Sequence, residues 1–187
     1  MPKIAEIEDT PNPNAKKFVL KDPLTWGISR SFDTAAQAQD DSLAAELFDI
    51  EHVTNVFYVD RWITVTQNGR ADWQELLRAL AGPIRAAPAA DAHSAQLATT
   101  AAAGTLADMS PADQQRLDVI NDLLDREIRP YLQGDGGDLH VIGLQGNRLT
   151  VHYQGACGSC PSSLSGTLVG IENLVRSIEP DMQVVAV

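Results

Sequence analysis

The residues best placed to do chemistry are Gly155-Ala156-Cys157-Gly158-Ser159-Cys160-Pro161, which hold both cysteines of the chain. The C-x-x-C spacing lets two sulfurs face one point. Pro161 suits the first position of a helix, where its missing N–H is no loss. That assignment makes Cys160 the N-cap and sets its sulfur near the positive end of a helix dipole. Such a placement favours thiolate, the form that binds metal and attacks disulfides.

Three uses of the pair compete. Cys157 and Cys160 are half of an iron–sulfur ligand set, because soft thiolates select such clusters and a cluster normally takes four cysteines. A two-fold axis past the loop would bring the other pair from a second copy. Alternatively the pair is a redox dithiol. That use wants a βαβ setting and a low-pKa first cysteine, whereas here the helix favours the second cysteine, and the residues predict no βαβ unit. Or the pair holds structural zinc, which needs four ligands; the other candidates in one chain are His140 and His152, and four cysteines from two chains could bridge a zinc instead.

The elements around the pair predict a small domain of order α-β-β-α-β over residues 108–187. Ser110-Pro111-Ala112-Asp113 reads as a capped helix start. Leu117, Ile120, Leu124 and Ile128 make one helical face, and Arg129-Pro130 ends or kinks the helix. Gly134-Asp135-Gly136-Gly137-Asp138 is a helix-to-strand turn, lacking the residues of a phosphate or calcium loop. Leu139–Leu144 and Leu149–Gln154 form a hairpin; a three-residue turn, Gln145-Gly146-Asn147, keeps Leu139, Val141 and Gly143 facing with Tyr153, Val151 and Leu149. His140 and His152 then become direct cross-strand partners on the other face, either an inert polar pair or a metal-binding or pH-sensitive one. After Cys160, Leu164, Leu168, Ile171, Val175 and Ile178 stripe a second helix, and Met182–Val187 is a last strand. Helices pack on one face of a three-stranded sheet.

Residues 1–85 predict a second α+β unit. Thr10-Pro-Asn-Pro-Asn14 is a turn. Lys17–Leu20 and Ile28–Phe32 are strands, and Leu43, Ala44, Leu47 and Ile50 follow a cap at Asp40-Asp41-Ser42. Val53–Val59 and Trp62–Thr66 are a hairpin about Asp60-Arg61. Trp73, Leu76, Leu77, Leu80 and Ile84 stripe a helix whose regular part ends at Gly82-Pro83. Trp62 and Trp73 read as core rather than as a ligand-stacking pair. Residues 86–107, half of them alanine, read as a flexible linker, because they offer too little apolar area to offset ordering entropy.

Composition removes several functions. The formal net charge of −11 gives no attraction to nucleic acid or an anionic membrane. The four lysines, Lys3, Lys16, Lys17 and Lys21, read as a solvated strand edge. No apolar run is long enough to span a bilayer. The acidic start lacks the apolar core of a signal peptide, so a cytoplasmic setting is expected, with a mature organellar form the other option. Close cysteines without a secretion signal fit a reducing compartment.

Residues from about 115 to 187 resemble the NifU-like C-terminal domain of iron–sulfur scaffold proteins, through Ile128-Arg129-Pro130, Asp135-Gly136-Gly137-Asp138, the C-x-x-C stretch and Gly170-Ile171-Glu172. Residues from about 5 to 85 resemble the N-terminal domain of Nfu proteins, through Thr10–Asn14, Ser42-Leu43-Ala44, Leu47-Phe48, Val56-Phe57 and Ile63–Thr66. The resemblance implies a non-enzymatic scaffold or carrier. Such a protein holds a labile cluster, usually 4Fe-4S and otherwise 2Fe-2S, between two subunits and passes it to apo-proteins. Cys157 and Cys160 match the family's ligands. A homodimer on cluster binding, apo client proteins and upstream assembly factors are the implied partners.

Overall fold

The computed structural model describes residues 3–90, 110–158 and 166–187. The chain divides into two compact units. In the first, chain order is β1 (Ile4–Asp9), β2 (Ala15–Leu20), β3 (Arg30–Phe32), α1 (Ser42–Phe48), β4 (Val53–Val59), β5 (Trp62–Gln67) and α2 (Trp73–Ala86). The strands form one antiparallel sheet of order β1-β2-β5-β4-β3.

Local chemistry starts each helix of this unit. The Asp41 carboxylate accepts from Ala44 N at 2.9 Å and caps α1; Asp72 accepts from Gln74 N at 2.8 Å and caps α2. Leu43 and Leu47 of α1 and Leu76, Leu80 and Ile84 of α2 meet Phe18, Val56, Ile63 and Val65 of the sheet in one core. Asp60 takes the left-handed φ of 48° that the tight β4–β5 turn requires, which an aspartate tolerates.

Two expectations change here, for the lysines and for the end of α2. Residues 4–9 form a strand that the sequence pattern leaves unassigned. Glu8 and Asp9 stand opposite Lys17 and Lys16 and form ion pairs with them, so these two of the four lysines lie on an inner strand and not on an edge. The helix runs through Pro83 to Ala86, because Ile84 is fully buried and anchors the last turn. Trp62 and Trp73 belong to the rim of the core, as expected, and are half-buried: Trp73 packs against the buried cluster under Lys16, and Trp62 packs on Phe57 at 5.2 Å under Lys17. Beyond α2, Ala87 is buried and Ala90 N donates to Pro23 O at 2.8 Å, so packed chain reaches Ala90. Residues 91–107 of the expected linker lie outside the described residues.

The second unit runs α3 (Pro111–Glu127), α4 (Arg129–Gly134), β6 (Gly137–Gln145), β7 (Arg148–Gly155), α5 (Leu168–Arg176) and β8 (Gln183–Ala186). Ser110 Oγ accepts from Asp113 N at 3.1 Å and starts α3 as its residue type predicts. The helix breaks at Ile128 and restarts with Pro130 in its first turn, where a missing N–H is tolerated. Leu117, Ile120 and Leu124, Leu132 of α4, and Ile171 and Val175 of α5 all pack on the same sheet face, against Leu139, Leu144, Leu149, Val151 and Val184. This is the expected mixed α+β layering.

The sheet order is β6-β7-β8, with β6–β7 antiparallel and β7–β8 parallel. The hairpin turn has two residues, Gly146-Asn147, not three. Register slips by one after Val141, so Gly143 faces Thr150 and Leu144 faces Leu149. The slip turns Leu144 into the core, at 4% exposure, where strict alternation would have offered the smaller Gly143. Gly146 takes φ 58°, the first-turn-residue conformation that favours glycine in such hairpins. Among the described residues, no helix is long and apolar enough to cross a membrane.

Candidate functional site

Cys157 follows the end of β7 and is 2% exposed. Gly155 turns the chain there with φ 64°, and Gly158 N donates to Gly155 O at 3.2 Å, closing a tight turn around the cysteine. The strand opposite has made room for it. Gly137 is the cross-strand partner of Gly155, and a Cβ on Gly137 would lie 2.5 Å from Cys157 Sγ and 2.7 Å from Gln154 O. A side chain at 137 and the cysteine at 157 cannot both keep these positions. A Cβ on Gly158 would also crowd Tyr153 O, at 3.1 Å.

The residues on either side of Gly137 lock that position. Gly136 takes φ 80°, which an L side chain rarely adopts, and its carbonyl accepts from Ala156 N at 3.1 Å. Asp138 is 3% exposed. Its carboxylate accepts from Leu139 N at 2.7 Å and Gln133 Nε2 at 3.3 Å, with Arg129 Nη1 3.8 Å away. Arg129 also pairs with Asp125 at 2.6 Å. The Asp135-Gly136-Gly137-Asp138 run therefore acts as a unit: one glycine makes the bend, the next clears space for Cys157, and Asp138 ties α4 to the strand.

Tyr153 stands in the same core, 3% exposed, and its hydroxyl has no hydrogen-bond partner among the described residues. Burial, and then the charge of Cys157, push its pKa up to about 12. Gly137 and Tyr153 are the site residues that pattern reading passes over. The available signal was a glycine opposite a glycine where the hairpin opens toward the cysteines.

Cys160 and Pro161 lie outside the described residues, as do the expected N-cap and Leu164. The described helix α5 begins at Leu168, and Ile178 lies beyond its end, 41% exposed. His140 and His152 are direct cross-strand partners, as the pattern predicts. Strand alternation puts them on the sheet face away from Cys157. Partial desolvation by neighbouring groups lowers the pKa of His140, which is otherwise exposed, helped by the charges of Arg129 and His152 and opposed by Asp138. The zinc arrangement of both cysteines with both histidines in one chain thus has its imidazoles on the wrong face. Among the described residues no three His, Cys, Asp or Glu side chains gather into a metal site. The redox reading gains a feature the sequence did not suggest. Because β7 and β8 are parallel, the cysteine loop and α5 lie in the crossover between them, a βαβ connection.

A two-unit α+β protein with Cys157 at the entry to a parallel crossover is the class that fold and site define. Residues 4–90 match the family profile described as scaffold protein Nfu/NifU N terminal, and residues 120–186 match the NifU-like domain. A human protein named as a mitochondrial NFU1 iron-sulfur cluster scaffold homolog is 34% identical over 180 residues, covering 95% of this chain and 69% of its own length. The Drosophila sechellia protein of the same name is 32% identical over 181 residues, and the chain spans 62% of it, under two thirds. A crystal structure of a Staphylococcus aureus protein aligns over 43% of this chain and 96% of its own, with 25% identity and a TM-score of 0.38. The chain belongs to the Nfu family of iron–sulfur cluster scaffold proteins.

Proposed function

We propose that the chain holds a labile iron–sulfur cluster as cargo, bound by the thiolates of Cys157 and Cys160, and passes it to apo client proteins. Two thiolates per chain against a need for four call for a cluster shared between two copies related by a two-fold axis, and the family resemblance makes 4Fe-4S the expected type, with 2Fe-2S the other option. The observation that carries the reading is the space cleared at Gly137 for Cys157, which holds one sulfur of the C-x-x-C pair in a fixed position. Transfer is ligand exchange: client thiolates replace Cys157 and Cys160 one at a time, and no substrate bond is made or broken. The protein acts as a carrier and not as an enzyme, in a reducing compartment that keeps both thiols available.

The three parts divide the work. The cluster belongs to residues 108–187, residues 86–107 join the units, and residues 1–85, which contain no cysteine, contact clients or upstream factors. Removing 1–85 spares cluster loading and weakens transfer to some clients; undiminished transfer to every client tested would remove the role assigned to that unit.

The reading is tested by Cys157→Ser and Cys160→Ser, each reconstituted anaerobically with iron and sulfide. Each loses stable cluster while keeping its circular dichroism. A full cluster on either variant contradicts the four-thiolate arrangement. The βαβ setting keeps one second reading in view, a dithiol–disulfide couple, and a reversible Cys157–Cys160 disulfide with no cluster uptake would favour it.

A further inference from the structure

We propose that His140 and His152 form a two-imidazole site for a borderline divalent transition-metal ion, Zn²⁺ or Ni²⁺, on the sheet face away from Cys157. The residues are paired directly across β6 and β7. Directly opposed side chains have Cβ atoms about 4.5–5.5 Å apart, so two rings on one face can turn toward a common ion. Imidazole nitrogen suits zinc, nickel and copper, and water completes the coordination.

The ring of His152 is already set for this. Its Nδ1 stands 2.8 Å from the main-chain oxygen of Val187. That oxygen can only accept, so Nδ1 carries the proton and the neutral ring has its lone pair on Nε2. A metal-binding histidine is usually held in this way, with its second nitrogen donating to a backbone carbonyl or carboxylate. His140 is exposed on its strand, and the neighbouring Arg129 charge is offset by Asp125 at 2.6 Å and Asp138 at 3.8 Å. The inference does not depend on the cluster reading, because it uses neither cysteine.

The test is isothermal titration of Zn²⁺ and of Ni²⁺ into the full chain carrying Cys157→Ser and Cys160→Ser together, which silences the thiolates. One ion per chain is expected. Adding His140→Ala or His152→Ala weakens binding at least about tenfold, since loss of a ligand costs no less than loss of an outer-shell partner. Both positions lie on the outer sheet face, so folding, followed by circular dichroism, is unchanged. His52→Ala and His93→Ala leave the affinity as it was. Absence of binding by the double-serine chain overturns the proposal, as does binding that survives either His140→Ala or His152→Ala.

Discussion

A Cβ atom on Gly137 would stand 2.5 Å from the Sγ of Cys157, so the first residue of β6 is glycine because the cysteine occupies the place of its side chain. The contact joins the glycine-rich turn to the thiol motif, two stretches twenty residues apart that sequence alone shows only as neighbours in a pattern. It also explains why the turn ends in two glycines when the bend needs one: Gly136 has the positive φ and Gly137 does not.

Gly137→Ala tests this directly. The new methyl meets a sulfur and a backbone oxygen, and the oxygen cannot step aside as the end of a flexible side chain does. Overpacking of this kind costs about 1–3 kcal/mol. Denaturant unfolding should show that loss, and anaerobic reconstitution should show fewer irons per chain. Normal stability with normal loading would mean that Cys157 is not fixed by this contact.

Tyr153→Phe should behave unlike most core substitutions. The Tyr153 hydroxyl is buried without a partner among the described residues, and leaving such a group unsatisfied costs about 1–3 kcal/mol. Phenylalanine keeps the ring and removes the polar atom. Stability by urea unfolding is expected to be unchanged or raised; a clear loss would show that the hydroxyl has a bond in solution.

Asp41 holds the first unit together at one carboxyl group. It caps α1, pairs with Arg30 at 2.9 Å and accepts from the Tyr58 hydroxyl, whose pKa is pushed up by burial and then by this bond. Asp41→Ala loses a cap, about 1 kcal/mol, and leaves a buried phenol unsatisfied. A loss of at least about 2 kcal/mol is expected. Asp41→Asn should lose less, because asparagine also caps well. Chemical denaturation of both variants ranks them.

Glu179 gives the second unit a dependence on acid. Hydrogen bonds from Arg116, at 3.0 and 3.1 Å, hold its carboxyl below the usual carboxylate range. A depressed folded-state pKa contributes stability that is present above the ordinary carboxylate value. That contribution disappears as pH falls through the lowered one. The stability gap between the wild-type chain and Arg116→Ala should therefore be open at pH 7 and close in acid. Both side chains are about one-third exposed, so the gap is small. A gap that does not change with pH would assign the effect to packing of the Arg116 stem.

The sequence made the helices and the hairpins legible because their apolar spacing matches their periods. Ser110 and Asp41 cap the helices their residue types predict, and His140 faces His152 as alternation requires. What stayed hidden depends on partners distant in the chain. β1 alternates too weakly to read as a strand, and its Glu8 and Asp9 acquire meaning only opposite Lys17 and Lys16. Pro83 reads as a stop until Ile84 is seen to be buried. The bulge after Val141 follows from the core's need for Leu144, which local pattern does not express. At the site, both cysteines announce themselves by spacing, whereas Gly137 matters only because Cys157 packs on it.

The most direct measurement is anaerobic reconstitution with iron and sulfide, followed by size separation and quantitation of iron, sulfide and protein in each species. The account predicts a dimer carrying about four irons and four sulfides, the content of one bridged 4Fe-4S cluster. A monomer without iron that forms a reversible Cys157–Cys160 disulfide would contradict it.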